Sequence, residues 1–239
     1  MTVFLALPHR GDISVGAMMG AVQASKRQDV RLRHLSRSLL PHCFNLLWCG
    51  ALNERPVDHW AMLHDDIAPQ PGWLDVLIAE METHNADIMS AVVPIRDERG
   101  LSSTAVRHPE TGWLRRLTIH ETNRLPETFD AAGAGYPGQQ LLVNTGLWVC
   151  RFDRDWVERF CFREDDGIHR DAAGKFYATV MSEDWNLSMD AADLGLKVMA
   201  TRKVKLRHVG PYGYPSWGDW GQWTEDREPS APLTGNAGE

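Results

Sequence analysis

Short apolar runs alternate with longer segments of mixed polarity through the first 93 residues. The apolar runs end at turn residues and therefore predict buried strands, whereas the segments between them carry helix-start signals such as Ser14 and Pro41. The predicted strands cover 2–8, 30–35, 59–64 and 86–93, and the predicted helices cover 14–26, 41–53 and 72–84. This alternation is typical of an α/β fold whose mostly parallel central sheet is covered by helices on both faces.

The chain after residue 93 is less regular. A glycine-rich stretch at 131–140 predicts a loop, and it is not a phosphate loop because the GxxxxGK[ST] pattern is missing. The run 139–152 predicts a strand that is interrupted at Asn144-Thr145-Gly146. A helix is predicted over 182–195, with Ser182 as its N-cap. Shorter strands are predicted at 103–108, 114–119, 196–200 and 203–209.

Length and composition favour one large domain, since the chain has 239 residues of which 43% are hydrophobic. We place this domain at 1–215. A tail at 216–239 begins aromatic and turns polar, and its last dozen residues are predicted to be disordered. The aromatic loop at 211–223 is either a lid that closes on a ligand or a segment packed onto the domain.

The net charge of −7 gives no general attraction to a polyanionic partner. A basic run at 26–37 is either a solvated face or a phosphate-facing surface. The four cysteines form no CxxC pair, which favours a reducing compartment. No apolar run reaches the roughly 18–20 residues that a membrane span needs, and we therefore expect a soluble, cytoplasmic protein without a membrane partner.

His64 ends the predicted strand 59–64, and the carboxylates Asp65 and Asp66 follow it directly. Ligands of open parallel sheets bind beyond the carboxyl ends of the strands. Two adjacent carboxylates repel each other there, and a divalent cation would remove the conflict. Magnesium and manganese take oxygen ligands and often hold phosphates, so the pattern indicates a metal–diphosphate site. The alternative is that one aspartate only caps the turn before Pro69.

Three further features bear on this choice. Gly146 breaks an apolar strand, either to let a ligand approach the backbone or as a simple bulge. Glu183 and Asp184 open a helix, either as chemical groups or as acids that stabilise the helix dipole. His208 ends a predicted strand, either as a metal ligand or as a structural histidine.

The order of these features resembles a GT-A-fold glycosyltransferase close to the family 2 type, over roughly residues 2–215. "MLHDDIAP" takes the place of the family's DxD motif and "SEDW" that of its ED motif. The resemblance implies a three-layer α/β/α, Rossmann-like GT-A domain, with a nucleotide-binding half at 1–93 and an acceptor-side half at 94–215. His64 stands where the family usually has its first Asp, which departs from the common pattern.

The resemblance also implies roles for individual residues. Asp66 and His208 would bind the metal, while His64 and Asp65 would face the nucleotide. Asp184 would be the general base of an inverting transfer, with Glu183 supporting the acceptor. The remaining candidates are assigned to the donor: Pro8 and Arg10 in the first loop, Asn45 on the following helix, and Gly146 beside the donor sugar.

The implied cofactors are Mn²⁺ or Mg²⁺ and a nucleotide-sugar donor, with UDP-sugar favoured. The acceptor stays open between a glycan, a lipid-linked sugar, a protein and a hydroxylated base in DNA, although the net charge argues against DNA. The oligomeric state is open as well. Two other functions compete with this one: a nucleotidyltransferase that makes nucleotide sugars, and a non-catalytic module that binds them.

Overall fold

A seven-stranded central sheet forms the middle of the protein, in a computed structural model that describes residues 1–54 and 56–221. Its strands, in spatial order β2-β1-β3-β10-β5-β13-β8, are Val30–Ser36 (β2), Val3–His9 (β1), His59–Leu63 (β3), Leu147–Arg151 (β10), Ile88–Ala91 (β5), Val198–Thr201 (β13) and Thr128–Phe129 (β8). Both halves of the chain therefore contribute strands to one sheet.

In the described part of the chain this sheet is mixed but mostly parallel, as predicted, because five strands run in one direction and two run against them. β1 pairs in parallel with both β2 and β3, and β13 pairs in parallel with β5. β10, however, lies antiparallel between β3 and β5, and β8 lies antiparallel at the far edge. The insertion of β10 brings its first residue, Leu147, opposite Leu63 at the end of β3.

The described residues form five α-helices: Val15–Ala24 (α1), Leu40–Asn53 (α2), Trp73–Thr83 (α3), Ile119–Thr122 (α4) and Glu183–Asp193 (α5). Local signals explain where they begin. The hydroxyl of Ser14 accepts a hydrogen bond from the backbone N–H of Ala17 at 3.2 Å, and Pro41 stands in the first turn of α2. Ser182 occupies the N-cap position of α5 as predicted, but its side chain makes no capping bond.

Two hydrophobic cores lie on opposite faces of the sheet, as the alternation along β1 shows. Phe4 and Ala6 belong to the core beneath α2 and α5, whereas Leu5 and Leu7 belong to the core beneath α1 and α3. The first core is unusually aromatic: the buried indole of Trp48 stacks among other rings and donates a hydrogen bond to the carbonyl of Val157 at 2.9 Å. The rigid sheet between the cores fixes the positions of the strand ends.

Three small sheets extend this framework. Ile67–Pro69 (β4), Leu206–Val209 (β14) and Gly213–Pro215 (β15) form one of them, and Leu101–Arg107 (β6), Leu114–Thr118 (β7) and Gln140–Leu142 (β9) form another. Asp165–Arg170 (β11) and Phe176–Met181 (β12) make a separate hairpin, and Asp155–Arg159 is a 3₁₀ helix. The antiparallel pairing of β4 with β14 places His208 opposite Ile67, the residue after Asp66.

The predicted elements of the first 93 residues are all present, with ends displaced by a few residues. The predicted break at Asn144-Thr145-Gly146 is confirmed, because β9 before it and β10 after it belong to different sheets. The short strands β4, β8 and β15 and the β11–β12 hairpin were not predicted.

The described part of the aromatic loop packs onto the domain. Asn123 donates a hydrogen bond to the carbonyl of Gly218 at 2.8 Å, and the Trp220 ring packs against the core under α2 and α5. Gly100 has a φ of +71°, and an added Cβ would lie 2.5 Å from the Trp220 carbonyl oxygen. The predicted disorder of the last dozen residues lies outside the described part of the chain. Within residues 1–54 and 56–221, no helix is both long and apolar enough to cross a membrane.

Candidate functional site

A cavity of about 580 Å³ opens at the carboxyl ends of β1 and β3. This is the edge of the sheet at which ligands of α/β proteins bind. Four of the predicted residues line the cavity: Arg10, His64, Asp65 and Asp66. The other lining residues were not predicted as site residues, namely Asp12, Ile13, Ser14, Leu40, Arg96 and Val209.

Asp65 joins the strand tip to the loop that follows β1. Its carboxylate accepts a hydrogen bond from the backbone N–H of Arg10 at 3.2 Å, and its carbonyl accepts one from the N–H of Ser14 at 2.8 Å. The first of these bonds fixes the backbone of Arg10 at the cavity wall, while the Arg10 side chain is exposed. Pro8 is buried within β1, where it lies opposite Leu35 of β2, and does not line the cavity.

Asp66 and His208 meet although 142 positions separate them in the sequence. The N–H of Val209 bonds the carbonyl of Asp66 at 2.7 Å, beside the β4–β14 pairing, and this sets the two backbones side by side. The carboxylate oxygen Oδ2 of Asp66 then lies 3.1 Å from Nε2 of His208 and 3.0 Å from Nη1 of Arg96. Burial favours the neutral form of Asp66, but these neighbours and His64 outweigh it and lower its pKa.

The hydrogen bond at Nδ1 of His208 determines how Nε2 can interact with Asp66. Nδ1 lies 2.7 Å from the carbonyl oxygen of Pro94, which can only accept, so Nδ1 carries a proton. In a neutral ring Nε2 is then an acceptor facing another acceptor, Oδ2 of Asp66. Either a second proton on His208 or a cation bound by both atoms resolves this conflict.

The pair fits a divalent cation in part. Ligands of octahedral Mg²⁺ at about 2.0–2.1 Å stand about 3 Å apart when adjacent, which agrees with the separation of Oδ2 and Nε2. In the described part of the chain no group of three or more His, Cys, Asp or Glu residues is arranged to hold a metal. Asp66 and His208 would therefore supply two protein ligands and leave the remaining positions to a ligand and water.

His64 lies at the centre of the predicted residues. Burial lowers the pKa of its imidazole, against the opposing charges of Asp66, Asp184 and Asp65. Its Nε2 is buried and has no hydrogen-bond partner among the described residues, while its backbone N–H donates to the carbonyl of Gly146 at 2.8 Å. A neutral imidazole with an unused nitrogen is consistent with a role in ligand recognition.

Asp184 is held firmly by the segment that breaks the strand. Oδ2 accepts a hydrogen bond from the side-chain amide of Asn144 at 2.9 Å, and Oδ1 accepts two from Thr145, one from its N–H at 2.9 Å and a shorter one from its hydroxyl. A carboxylate has about four acceptor positions. One position on Oδ2 therefore remains for an incoming hydroxyl.

Glu183 behaves differently from its neighbour. Its pKa is raised to about 8 because it is buried beside the charges of Asp184 and Glu164. The side chain is therefore mainly neutral at pH 7. A neutral carboxyl adds little to the stabilisation of the helix dipole, and it can donate a hydrogen bond.

Two predicted donor residues have structural contacts instead. Both ends of the Asn45 amide bond the backbone of Phe162, each at 2.8 Å, and this ties α2 to the segment before the hairpin. Gly146 does permit a close approach, but the approaching group is the side chain of Asn144, whose Oδ1 accepts from the Gly146 N–H at 2.6 Å. An added Cβ on Gly146 would lie 2.5 Å from that oxygen.

Sequence reasoning missed Arg96, which follows β5 in an irregular segment. β5 is parallel to β13 and antiparallel to β10, so its carboxyl end lies at the same edge as that of β3. A basic residue a few positions beyond that end was the available signal, but Arg99 stands close by with the same charge. Only the fold distinguishes them.

Comparison with known proteins gives a fold relationship. No protein-family model and no curated protein matches this chain. Among solved structures, the crystal structure of A197 from STIV is similar to it, with a TM-score of 0.53 over 95% of this chain and 100% of that one. The two sequences are 11% identical, so the likeness shows the fold alone.

Proposed function

We propose that this protein is a glycosyltransferase that moves a sugar from a nucleotide-sugar donor to an acceptor hydroxyl. The observation that carries the proposal is the 3.1 Å contact of His208 with Asp66, a residue that lines the cavity at the strand ends. The GT-A resemblance of the sequence independently implies a metal–diphosphate site at the same two residues. A three-layer GT-A domain is part of the same proposal, beyond the mixed α/β fold described above.

In the proposed reaction the carboxyl groups of Asp184 and Glu183 have different roles. The acceptor hydroxyl attacks the anomeric carbon as the bond from that carbon to the diphosphate oxygen breaks, and Asp184 accepts the hydroxyl proton at Oδ2. Glu183, neutral at pH 7, donates a hydrogen bond that helps to orient the acceptor. A divalent cation held by Asp66 and His208 would balance charge on the leaving diphosphate.

A second candidate is a binding module that holds a nucleotide sugar without transferring it. The observation in its favour is that three of the acceptor positions of Asp184 are already used by Asn144 and Thr145. The rigidity that this gives also suits a base, because a positioned carboxylate loses less freedom in the transition state. We therefore rank the transferase first.

A panel of nucleotide sugars with and without Mn²⁺, assayed for free nucleoside diphosphate, tests the proposal. Release from one donor that requires Mn²⁺ and is lost in both Asp66→Ala and Asp184→Asn supports it. Asp12→Asn is the matched control, because Asp12 lines the same cavity but has no assigned role. Binding without release across the panel and a range of acceptors would favour the binding module, and pyrophosphate release from a nucleoside triphosphate and a sugar phosphate would favour the nucleotidyltransferase.

A further inference from the structure

One oxygen atom in the cavity has two cationic or potentially cationic partners. Oδ2 of Asp66 lies 3.0 Å from Nη1 of Arg96 and 3.1 Å from Nε2 of His208. A guanidinium is always charged, so Arg96 already neutralises the oxygen that a metal would bind. The protein thus carries its own cation at the proposed metal site.

We propose that Arg96 is an internal counter-ion that competes with a divalent cation for Asp66 and, once displaced, binds the diphosphate of the ligand. The competition rests on the observed contacts of Asp66 and on the metal site proposed there. The second step rests on the proposed function, which supplies the diphosphate.

Arg96 is placed so that it can move. Its side chain is 48% exposed and extends from an irregular segment, so leaving Asp66 does not open either core. Its Nη1 is 3.5 Å from the carbonyl of Val209, a contact too long to fix the group strongly. Gly210 leaves room for its stem, because an added Cβ there would lie 3.2 Å from Cδ of Arg96.

The charges of the cavity explain why displacement would be useful. Three aspartates and two arginines line it, and a second proton on His208 beside Asp66 would balance the remaining charge, so the cavity offers a diphosphate no net positive charge. A divalent cation on Asp66 supplies positive charge there and repels the neighbouring guanidinium. Arg96 and Arg10 then both face the diphosphate, and the planar fork of a guanidinium suits two phosphate oxygens at once.

Metal binding without nucleotide tests the competition. Mn²⁺ affinity is measured by calorimetry for the wild-type protein, Arg96→Gln, Arg96→Lys and Arg99→Gln. Arg99 is the matched control, since it belongs to the same segment but pairs with Asp97 at 2.6 Å. We expect Arg96→Gln to bind Mn²⁺ roughly fivefold more tightly, as expected for loss of a competing exposed ion pair. Arg99→Gln should stay near wild type, and Arg96→Lys should lie between wild type and Arg96→Gln.

An equal or weaker Mn²⁺ affinity in Arg96→Gln, or no Mn²⁺ binding by any of the four proteins, would overturn the competition. The second step is tested with inorganic pyrophosphate at saturating Mn²⁺, a probe that needs neither a nucleoside nor sugar transfer. We expect Arg96→Gln to bind it about tenfold more weakly than Arg99→Gln does. Equal affinities would overturn the second step, whatever the nucleotide-sugar panel shows, whereas failure of that panel alone would leave the counter-ion in place.

Discussion

Thr145 donates two hydrogen bonds to the same oxygen of Asp184, one from its backbone N–H at 2.9 Å and one from its hydroxyl. The two residues belong to the strand break and to the first turn of α5. Because both donors aim at Oδ1, the carboxylate is fixed in its plane and Oδ2 is turned towards Asn144. The segment that breaks the strand therefore holds the Asp184 carboxylate in one orientation.

Thr145→Val should weaken this positioning without changing the shape of the side chain. A hydrogen bond to a charged group contributes about 1.5–3 kcal/mol, so we expect kcat for the proposed sugar transfer to fall roughly tenfold or more, with little change in donor affinity. Thr145→Ser keeps the hydroxyl and should retain most of the activity. Steady-state kinetics on the donor found in the panel would decide, and an unchanged kcat in Thr145→Val would contradict the positioning role.

Gly146→Ala should disturb the same carboxylate from the other side. The new Cβ would lie 2.5 Å from Oδ1 of Asn144, so the amide that bonds Asp184 must move. Overpacking of this kind costs about 1–3 kcal/mol, and we expect both a lower melting temperature and a lower kcat. Gly50→Ala is the control, because its Cβ would be 3.6 Å from Phe4, an ordinary contact. Wild-type stability in Gly146→Ala would show that the segment adapts.

Local signals predicted the elements of the first 93 residues because each signal acts within a few positions. The Ser14 hydroxyl bonds a backbone N–H only three residues ahead, and the buried strand β3 has an uninterrupted apolar run. The direction of β10 has no such local signal. It is set by pairing with β3 and β5, which lie more than fifty residues earlier, so the mixed sheet could not be foreseen.

The hairpin was missed for a different reason. Side chains of β11 and β12 are half-buried or exposed, and Ile168 and Phe176 are 80% and 67% exposed. Without a buried face the sequence lacks the alternation that identifies a strand. The pairing rests instead on the register between the two strands.

The sequence predicted some residues of the candidate site but not the contacts between them. Motif order indicated Asp66, His208 and Asp184, and the fold does bring Asp66 and His208 together. Arg96 neutralises Asp66 and Thr145 orients Asp184, and neither contact could be predicted because the partners lie far apart in the sequence.

Asn45→Ala should separate a structural role from the predicted donor-binding role. It removes two hydrogen bonds to the Phe162 backbone and leaves those groups partly unsatisfied, which should lower the free energy of unfolding by about 1–3 kcal/mol. Donor affinity should not change. His42→Ala, at an exposed position of the same helix, is the stability control. Denaturant unfolding and donor binding are measured together, and a large loss of donor affinity with normal stability would favour the donor-binding role instead.

Glu183 should make the protein less stable as the pH rises. The folded state keeps its proton up to about pH 8, whereas the unfolded chain releases it near the ordinary glutamate pKa of 4.5, so between these values the folded state binds more protons. The free energy of unfolding therefore falls with rising pH across this window, by an amount on the order of a few kcal/mol. Glu183→Gln, which is neutral throughout, should remove most of that slope, while the exposed control Glu110→Gln should keep it. Denaturant unfolding at a series of pH values would reveal the difference, and parallel slopes for wild type and Glu183→Gln would mean that Glu183 ionises normally in the folded protein.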